Sequence, residues 1–447
     1  MKYFFKKGIS LLLAVFALIV PLCLTANASE SFEMPDLSHS KNVYLYNITA
    51  DTLMFSKGAD EIIYPGPTVK LMTAAVAIDC LGGNLNRIIT IREDVIDEVR
   101  GNNINLRPDE KVTVLQLLNA LIVGNSNDAA VVLAVEAAGS VGAFVIKMNE
   151  LAQKLGASNT FYTNPTGMHD DDMVTTISDT AKIAMYLNRY DIFTEIARKE
   201  FYILEKTNKS RERKIFNRNY FINTQTEYIY YSPYVKGMNA GATEEAGYCV
   251  VASSEYRNSE YLCIVMGSES DDNYIYSFRD AGLMLTWAYR SYAYRTVLKS
   301  SDIICSVPVR LSSQTDTIAI MPSVGIELYL PNEAVVGEDV TISWLLDVDE
   351  LTAPIEENTV VGKVTLLYEN KVVGQTDLVT KTAVARSDYL YIMSLAERFF
   401  KSPAFIVIAV LIVISTIGYI AFSVVTNTRR QRQIKARQEM SEKKIIK

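Results

Sequence analysis

The sequence predicts an α+β fold, in which one sheet packs against a helical cluster, followed by a small β-sandwich domain and a carboxy-terminal transmembrane helix. Between residues 40 and 295, strand-like segments stand at both ends and helix-like segments stand between them, which indicates a single sheet with its helices. From 300 to 385 the helical pattern gives way to short alternating runs, the pattern of a small sandwich. The segment 403–425 is apolar throughout, as a membrane-spanning helix requires.

The amino terminus has the three parts of a secretory signal peptide. Several lysines between residues 2 and 7 form a positive segment, an apolar run continues to residue 24, and Ala-Asn-Ala ends at Ala28, where cleavage is expected. The alternative is that this segment stays in place as a membrane helix. We predict a signal peptide over 1–28 and therefore an exported chain.

The first exported domain is predicted over 29–295. "KNVYLYNIT" alternates as a strand does, and "DTLMFSKG" follows as its hairpin partner. Helical spacing begins at Thr68 in "TVKLMTAAVAIDCL", where Gly66 suits the N-cap, and continues in "VTVLQLLNALIVG" and "NDAAVVLAVEAAGSVGAFVIKMNELAQKLG". "TTISDTAKIAMYLNRY" is another helix, with Ser178 or Asp179 as its cap. Strands return after residue 233, and "DAGLMLTWAYRSY" predicts a closing helix.

The remaining segments lead to the membrane. Runs such as "TIAIMP", "GIELYLP" and "VTISWLLDV" predict a β-sandwich domain over 296–388. Residues 389–402 form a stalk with aromatic and arginine side chains that suit a membrane surface. The transmembrane helix, 403–425, precedes a basic tail, 426–447, which the positive-inside rule places in the cytoplasm. Such a tail also suits anionic lipid head groups, although a role as topology anchor alone is the simpler interpretation.

Composition excludes several classes of function. The net charge of −7 gives no indication of nucleic-acid binding. The chain has 2 histidines, His39 and His169, and neither has a His or Cys neighbour at ligand spacing, so we predict neither a metal nor a cofactor. Cys249 and Cys263 lie on adjacent strand-like runs, where buried thiols are favoured over a disulfide.

Four segments carry a resemblance to a known family: "GADEIIYPGPTVKLMTA", "INLRPDEKVTVLQLLNALIVGNSNDAA", "LGASNTFYTNPTGMHDDDMVTTISDTAKIA" and "GMNAGATEEAGYCVVAS". Their order and spacing are similar to those of the low-molecular-weight D-alanyl-D-alanine carboxypeptidases, peptidase family S11. The resemblance covers roughly 40–295 and implies a β-lactamase/DD-peptidase-like fold. It also implies three catalytic motifs: S-x-x-K, S-x-N and K-T-G.

The motifs are only partly preserved. In the first, the nucleophile slot holds a proline and the general-base lysine remains. In the second, the serine slot holds an asparagine and the final asparagine remains. In the third, Asn and Ala replace Lys and Thr, while the glycine and a threonine two residues on remain as substrate-binding positions. By number, the slots are Pro67 and Lys70; Asn125 and Asn127; and Asn239, Ala240, Gly241 and Thr243.

Each change removes a chemical capability. Pro67 has neither a hydroxyl to attack a carbonyl nor an N–H to donate in an oxyanion hole. Asn125 cannot relay a proton as a hydroxyl does. Asn239 removes the cation that would pair with a substrate carboxylate. Thr68 and Ser126 are the alternative nucleophiles, and each would need a rearranged site. Asn127 also suits the cap of the following helix.

Three functions remain open. The first is a catalytically inactive, membrane-anchored relative of the carboxypeptidases that binds peptidoglycan stem peptides or a partner in cell-wall synthesis or division. The second is an active serine-type carboxypeptidase with a rearranged nucleophile. The third is a scaffold or signalling protein that acts through its transmembrane helix and basic tail.

Overall fold

The computed structural model of this protein describes residues 33–224 and 228–445. The predicted signal peptide, 1–28, lies outside the described residues. The described chain forms two compact units, one extending to Ala293 with Tyr329–Glu333 added, the other comprising Tyr294–Leu328 and the chain from Ala334 onward.

The first unit contains an antiparallel five-stranded sheet of order β2-β1-β9-β8-β7 and a helical cluster. Its strands are β1 (Ser40–Asn47), β2 (Thr52–Lys57), β3 (Ile88–Thr90), β4 (Lys111–Thr113), β5 (Phe201–Leu204), β6 (Arg213–Phe216), β7 (Val235–Thr243), β8 (Gly247–Tyr256) and β9 (Ser259–Ser268). Its helices are α1 (Val69–Leu81), α2 (Glu93–Ile96), α3 (Val114–Ile122), α4 (Asn127–Ala138), α5 (Val141–Lys154), α6 (Ile177–Leu187), α7 (Asp191–Ala197) and α8 (Tyr276–Ser291). The strand-at-both-ends pattern of the sequence is thus confirmed.

Helix α1 lies at the centre of the helical cluster. Nearly all its residues are buried, and it packs against α3, α4 and α6. A helix that is apolar all round is stable only when neighbours surround it, and the small residues of "TAAVA" allow those neighbours to approach. This buried helix fixes Lys70 in its first turn, so the position of that side chain is set by the core.

The two faces of the sheet carry separate apolar clusters. One faces the helical cluster and includes Cys249 and Val251; the other faces α8 and includes Val250 and Cys263. Because successive side chains of a strand point to opposite faces, the two cysteines lie on opposite sides of the sheet. Both are free thiols, which confirms that prediction.

The second unit is a β domain followed by helices. A six-stranded sheet has the order β14-β16-β17-β12-β11-β15, and β10 pairs with β13. The elements, of which β10 and β13 belong to this unit only in part, are β10 (Tyr292–Leu298), β11 (Cys305–Arg310), β12 (Thr317–Pro322), β13 (Ile326–Pro331), β14 (Val340–Leu346), β15 (Leu351–Thr352), β16 (Val360–Tyr368), β17 (Lys371–Thr380), α9 (Asp388–Phe400) and α10 (Pro403–Ile445). Within α10, Pro403–Gln438 is long and apolar enough to cross a membrane, with a mean hydropathy of 2.7 over its most apolar window.

One other helix pair passes the same test of length and composition. Helices α4 and α5 together are apolar enough, but they bend by 85° where they meet. Residues of both helices belong to the buried cluster of the first unit, so we assign them to its core. The predicted fold class, with a sheet, a helical cluster, a β domain and an apolar helix near the carboxy terminus, is confirmed.

Candidate active site

The first motif lies where a tight turn enters α1. Gly66–Thr68 form one turn of 3-10 helix that is fully buried, and Val69 begins the α-helix. The predicted N-cap was wrong: Gly66 has a positive φ of 49°, and Thr68 occupies the cap position. Pro67 suits this first turn because a residue there has no helical partner for its N–H. The turn therefore keeps its shape without the hydroxyl that chemistry would need.

Lys70 occupies the general-base slot in a buried environment. Its side chain is 5% exposed, and its Nζ donates to the carbonyl oxygen of Thr166 at 2.6 Å. Burial lowers the pKa of Lys70 to about 7, because the charged form loses its hydration. A base acts best when its pKa lies near the working pH, so this lysine would still suit proton transfer if a nucleophile stood beside it.

Asn125, in the serine slot, links its turn to the edge strand β7. It takes a positive φ of 54°, and its Nδ2 donates to the carbonyl oxygen of Ala240 at 3.1 Å. Asn239 then directs its Nδ2 toward Asn125 Oδ1, at 3.5 Å. The structure thus brings substituted residues of two motifs into direct contact, through neutral amides in place of hydroxyl and ammonium groups.

Strand β7 also approaches the first motif. A Cβ added to Gly241 would lie 2.9 Å from both Pro67 Cβ and Asn125 Nδ2, so only glycine fits between them. Ala240 contributes its carbonyl to this region, while its side chain lies in the apolar cluster that faces α8. The residues of all three motifs therefore meet around Gly241.

Asn127 is held by the loop that precedes α3. It is the first residue of α4, and Ser126 is the N-cap, so the prediction that Asn127 caps this helix was wrong. Asn127 Nδ2 donates to the carbonyl oxygen of Arg100 at 2.7 Å, whereas its buried Oδ1 has no hydrogen-bond partner among the described residues. Asn239 Oδ1 has none there either. Within the described residues, the site therefore contains two buried acceptors without donors.

The two alternative nucleophiles are engaged elsewhere. Thr68 is 4% exposed, and its hydroxyl donates to the carbonyl oxygen of Pro65 at 2.7 Å. The buried Ser126 hydroxyl donates to the carboxylate of Asp128. Among the described residues, neither hydroxyl has Lys70 as its hydrogen-bond partner, and the Lys70 ammonium donates to Thr166.

The far end of β7 retains a threonine. Thr243 Oγ1 accepts from the backbone N–H of Ala246 at 3.1 Å, which leaves its own hydroxyl proton free to donate. Lys236, at the other end of the strand, forms an ion pair with Glu255. Since it is paired away from the motifs, it does not replace the missing lysine at position 239.

Sequence reasoning missed the groups that support the site. The Asp128 carboxylate accepts from the backbone N–H groups of Ile104 and Leu106, and Asn103 Oδ1 accepts from the N–H of Asp128. The segment "NPTG" places Thr166 under Lys70, and a Cβ on Gly167 would lie 2.0 Å from the Gly66 carbonyl oxygen. The only available signal was the quoted family segments, which contain these residues but do not assign them roles.

Comparison with known proteins gives consistent matches along the chain. Residues 29–270 match the family model described as D-alanyl-D-alanine carboxypeptidase, peptidase S11. Residues 292–386 match that of the penicillin-binding protein 5 carboxy-terminal domain. The D-alanyl-D-alanine carboxypeptidase DacF of Bacillus subtilis is 25% identical over 392 residues, 83% of this chain and 95% of that protein. DacA of Escherichia coli is 27% identical over 365 residues, 78% of this chain and 85% of that protein.

Solved structures show the same fold. Penicillin-binding protein 5 from Haemophilus influenzae superposes with a TM-score of 0.57 at 23% identity, covering 79% of this chain and 100% of that one. Penicillin-binding protein 6B from Escherichia coli gives a TM-score of 0.59 at 21% identity, covering 80% of this chain and 99% of that one.

Proposed function

This chain belongs to the D-alanyl-D-alanine carboxypeptidase family, peptidase S11, and within that family we propose that it is a catalytically inactive, membrane-anchored member. In this proposal its cleft binds peptidoglycan stem peptides without cleaving them. The relatives named above are carboxypeptidases, whereas this chain has a proline where the family motif implies a serine nucleophile.

One observation carries the proposal. Pro67 fills the nucleophile slot, and its ring lies close to Gly241, where an added Cβ would lie 2.9 Å from Pro67 Cβ. A serine enzyme of this class needs a hydroxyl whose proton is taken by an adjacent base before it attacks the carbonyl. The nearby hydroxyls of Thr68 and Ser126 donate to Pro65 and Asp128 instead. Lys70 therefore remains as a base without a nucleophile to activate.

Substrate binding is affected less than catalysis. Gly241 still permits close approach to the edge strand β7, and recognition by such an edge depends mainly on backbone groups. However, Asn125 Nδ2 already donates to the backbone carbonyl oxygen of Ala240, so this acceptor of β7 is engaged. In addition, Asn239 supplies no positive charge for a terminal carboxylate. We therefore propose that a stem peptide ending in D-Ala-D-Ala binds more weakly than it would to a site with a lysine at position 239.

The proposed location follows from the ends of the chain. An apolar helix within Pro403–Gln438 anchors the protein in the cell membrane, and the basic residues after 425 favour a cytoplasmic tail. A signal peptide over 1–28, domains over 29–295 and 296–388, and a stalk over 389–402 complete the proposed arrangement outside the cytoplasm.

The test measures D-alanine release from a stem peptide ending in D-Ala-D-Ala, with the full chain in neutral detergent. A fluorescent penicillin reports acylation in parallel. Lys70→Ala is the control for background turnover, and Pro67→Ser and Pro67→Ser/Asn125→Ser/Asn239→Lys/Ala240→Thr test whether the chemistry returns. We expect the natural protein to match the Lys70→Ala background and the quadruple variant to be acylated.

Binding is measured separately, by ligand-observed NMR with the same stem peptide. D-alanine release above the Lys70→Ala background would overturn the inactive assignment. If the natural protein releases no D-alanine, is not acylated by the penicillin and also does not bind the stem peptide, the stem-peptide proposal is overturned. That result would point to a cell-wall protein partner. Binding without turnover is the expected result.

A further inference from the structure

An acidic groove lies next to the former active site. It has a volume of about 670 Å³, within the range of pockets that hold ligands. Five carboxylates from four separate segments of the chain line it: Glu61, Asp171, Glu244, Glu245 and Glu269. All but Asp171 and Glu61 follow β7 or β9 directly, so the sheet itself brings these charges together.

The charge of this groove is not balanced by its own lining. Lys41 is the one basic residue among the lining residues. His39 and His169 stand beside Glu269 and Asp171, but neither histidine lines the groove. Like charges gathered along one cleft raise the local concentration of oppositely charged ligands. The groove therefore attracts cations and repels the carboxylate end of a peptide.

A second feature of the groove is a buried acceptor without a donor. Asn42 lines the groove wall and is 0% exposed. Its Nδ2 donates to the Gly58 carbonyl oxygen at 2.9 Å and to the Glu61 carboxylate at 3.2 Å, which fixes the orientation of the amide. Its Oδ1 has no hydrogen-bond partner among the described residues and lies 3.5 Å from the position of a Cβ on Gly267, another lining residue.

These observations favour a particular kind of ligand. Buried acceptors in native structures usually have donors, and five carboxylates against a single lysine line the groove, so the ligand that fits it carries N–H donors and positive charge. No group of three or more His, Cys, Asp or Glu residues in the described chain is arranged to hold a metal ion. The charges are spread along a groove, as suits several separated cationic groups.

We propose that this groove binds a basic segment of a partner polypeptide, with lysine or arginine side chains spaced along an extended chain. The site is distinct from the stem-peptide cleft and does not depend on whether that cleft binds. The two are adjacent: a Cβ on Gly66 would lie 2.6 Å from Ala246 Cβ and 3.4 Å from Thr243 Oγ1. A bound basic segment would therefore lie beside the turn that holds Pro67.

The test is fluorescence anisotropy of a labelled peptide in which lysine alternates with glycine, titrated with the full chain in neutral detergent. Matched peptides carry acetylated lysine or glutamate in place of lysine. Glu244→Gln/Glu245→Gln neutralises two lining carboxylates at an exposed turn, where the fold does not depend on them. Asp347→Asn/Asp349→Asn is the matched control, because it removes the same charge at exposed positions of the β domain.

We expect the lysine peptide to bind and the acetylated and acidic peptides not to bind. The Glu244→Gln/Glu245→Gln variant should bind about fivefold more weakly, as expected for the loss of two exposed ion pairs, and the control variant should match the natural protein. Glu244→Lys/Glu245→Lys should weaken binding further. Raising the salt from ~50 to ~500 mM should weaken binding in all variants, because exposed charges are screened.

Four results would overturn the proposal. The first is equal affinity for the lysine and acetylated peptides. The second is equal loss of affinity in the groove variant and the β-domain control, which would mean that only net charge matters. The third is complete displacement of the peptide by millimolar Mg²⁺ from the groove variant and from the β-domain control variant alike. Displacement by a D-Ala-D-Ala stem peptide that lacks basic groups would assign the peptide to the cleft and would likewise overturn it.

Discussion

The candidate active site consists of two regions with opposite properties. We define the reactive face as Pro67, Asn125 and Asn239, and the supporting network as Asn103, Asp128 and the backbone groups that they bind. In the supporting network, the buried Asp128 accepts from two backbone N–H groups and the Ser126 hydroxyl. In the reactive face, Asn239 Oδ1 is buried without a partner among the described residues. The hydrogen bond from Asn239 Nδ2 to Asn125 Oδ1 is as long as 3.5 Å.

The stability of the fold depends on the supporting network, whereas serine chemistry would depend on the reactive face. A buried carboxylate with several hydrogen bonds cannot be removed without leaving its donors unpaired, which is costly. A hydroxyl replaced by a proline ring in a turn that accepts proline costs little. The proposed loss of catalysis is therefore compatible with a stable protein, because the substitutions fall on the reactive face alone.

The largest expected effect comes from breaking the supporting network. Asp128→Ala should lower the free energy of unfolding by about 3–5 kcal/mol, because buried donors lose their charged acceptor. Urea unfolding of the full chain in neutral detergent measures it. Asp97→Ala, at an exposed position, is the control and should change the value by less than about 0.5 kcal/mol. Equal effects of the two variants would contradict the division into two regions.

The next effect concerns Lys70, which belongs to neither region and donates to the carbonyl oxygen of Thr166. Its pKa is about 7 in the folded chain against 10.5 as the ordinary value. Between these values the unfolded chain binds a proton that the folded chain does not, so stability rises with pH, at up to about 1.4 kcal/mol per pH unit. Below pH 7 both states are protonated, and above 10.5 neither is, so the contribution to the slope disappears outside this range.

Lys70→Met removes this titration while keeping most of the side-chain volume. Between ~pH 7 and ~pH 9, the natural protein should gain about 2 kcal/mol of unfolding free energy relative to the variant. Urea unfolding at both pH values measures the difference. Parallel pH profiles for the two proteins would mean that Lys70 is hydrated in the folded state, and its role as a buried base in the quadruple revertant would have to be abandoned.

The sequence was informative where its signals were local or periodic. Alternation and helical spacing predicted the hairpin of β1 and β2 and the buried helix α1, both of which the structure contains. The resemblance implied three catalytic motifs, and the structure brings positions of these motifs together, Asn125 to Ala240 and Pro67 to Gly241. Periodicity works because burial of an apolar face dominates the stability of these elements.

Predictions of helix caps were less successful, because capping depends on tertiary contacts as well as residue type. Ser178 or Asp179 was expected to cap α6, but Thr176 does so, and its side chain accepts from Asp179 N–H. At α4, Ser126 and Asn127 both suit a cap. The loop decides between them, because the Asn127 backbone N–H donates to the carbonyl oxygen of Asn102 at 2.7 Å.

The acidic groove lay beyond sequence reasoning for a different reason. Its carboxylates come from positions as far apart as Glu61 and Glu269, and each stands in an ordinary polar turn of the sequence. Only the pairing of β1 with β9 and of β8 with β7 brings those turns together. Long-range register of this kind has no local signal in a single sequence.

The smallest expected effect, and the sharpest test of the comparison, is on the reactive face itself. Pro67→Ser should lower the free energy of unfolding by no more than about 1 kcal/mol, because the substitution mainly frees the unfolded chain. Urea unfolding measures this, with Asp128→Ala as the opposite extreme. A loss as large as that of Asp128→Ala would show that Pro67 stabilises the fold and that the reactive face is structural too.

Near-neutral stability combined with acylation of Pro67→Ser alone would show that one residue separates this protein from catalysis, since Asn125 and Asn239 would then be compatible with the chemistry. Near-neutral stability without acylation would place part of the loss on those asparagines, and the quadruple variant would then measure how much activity they remove.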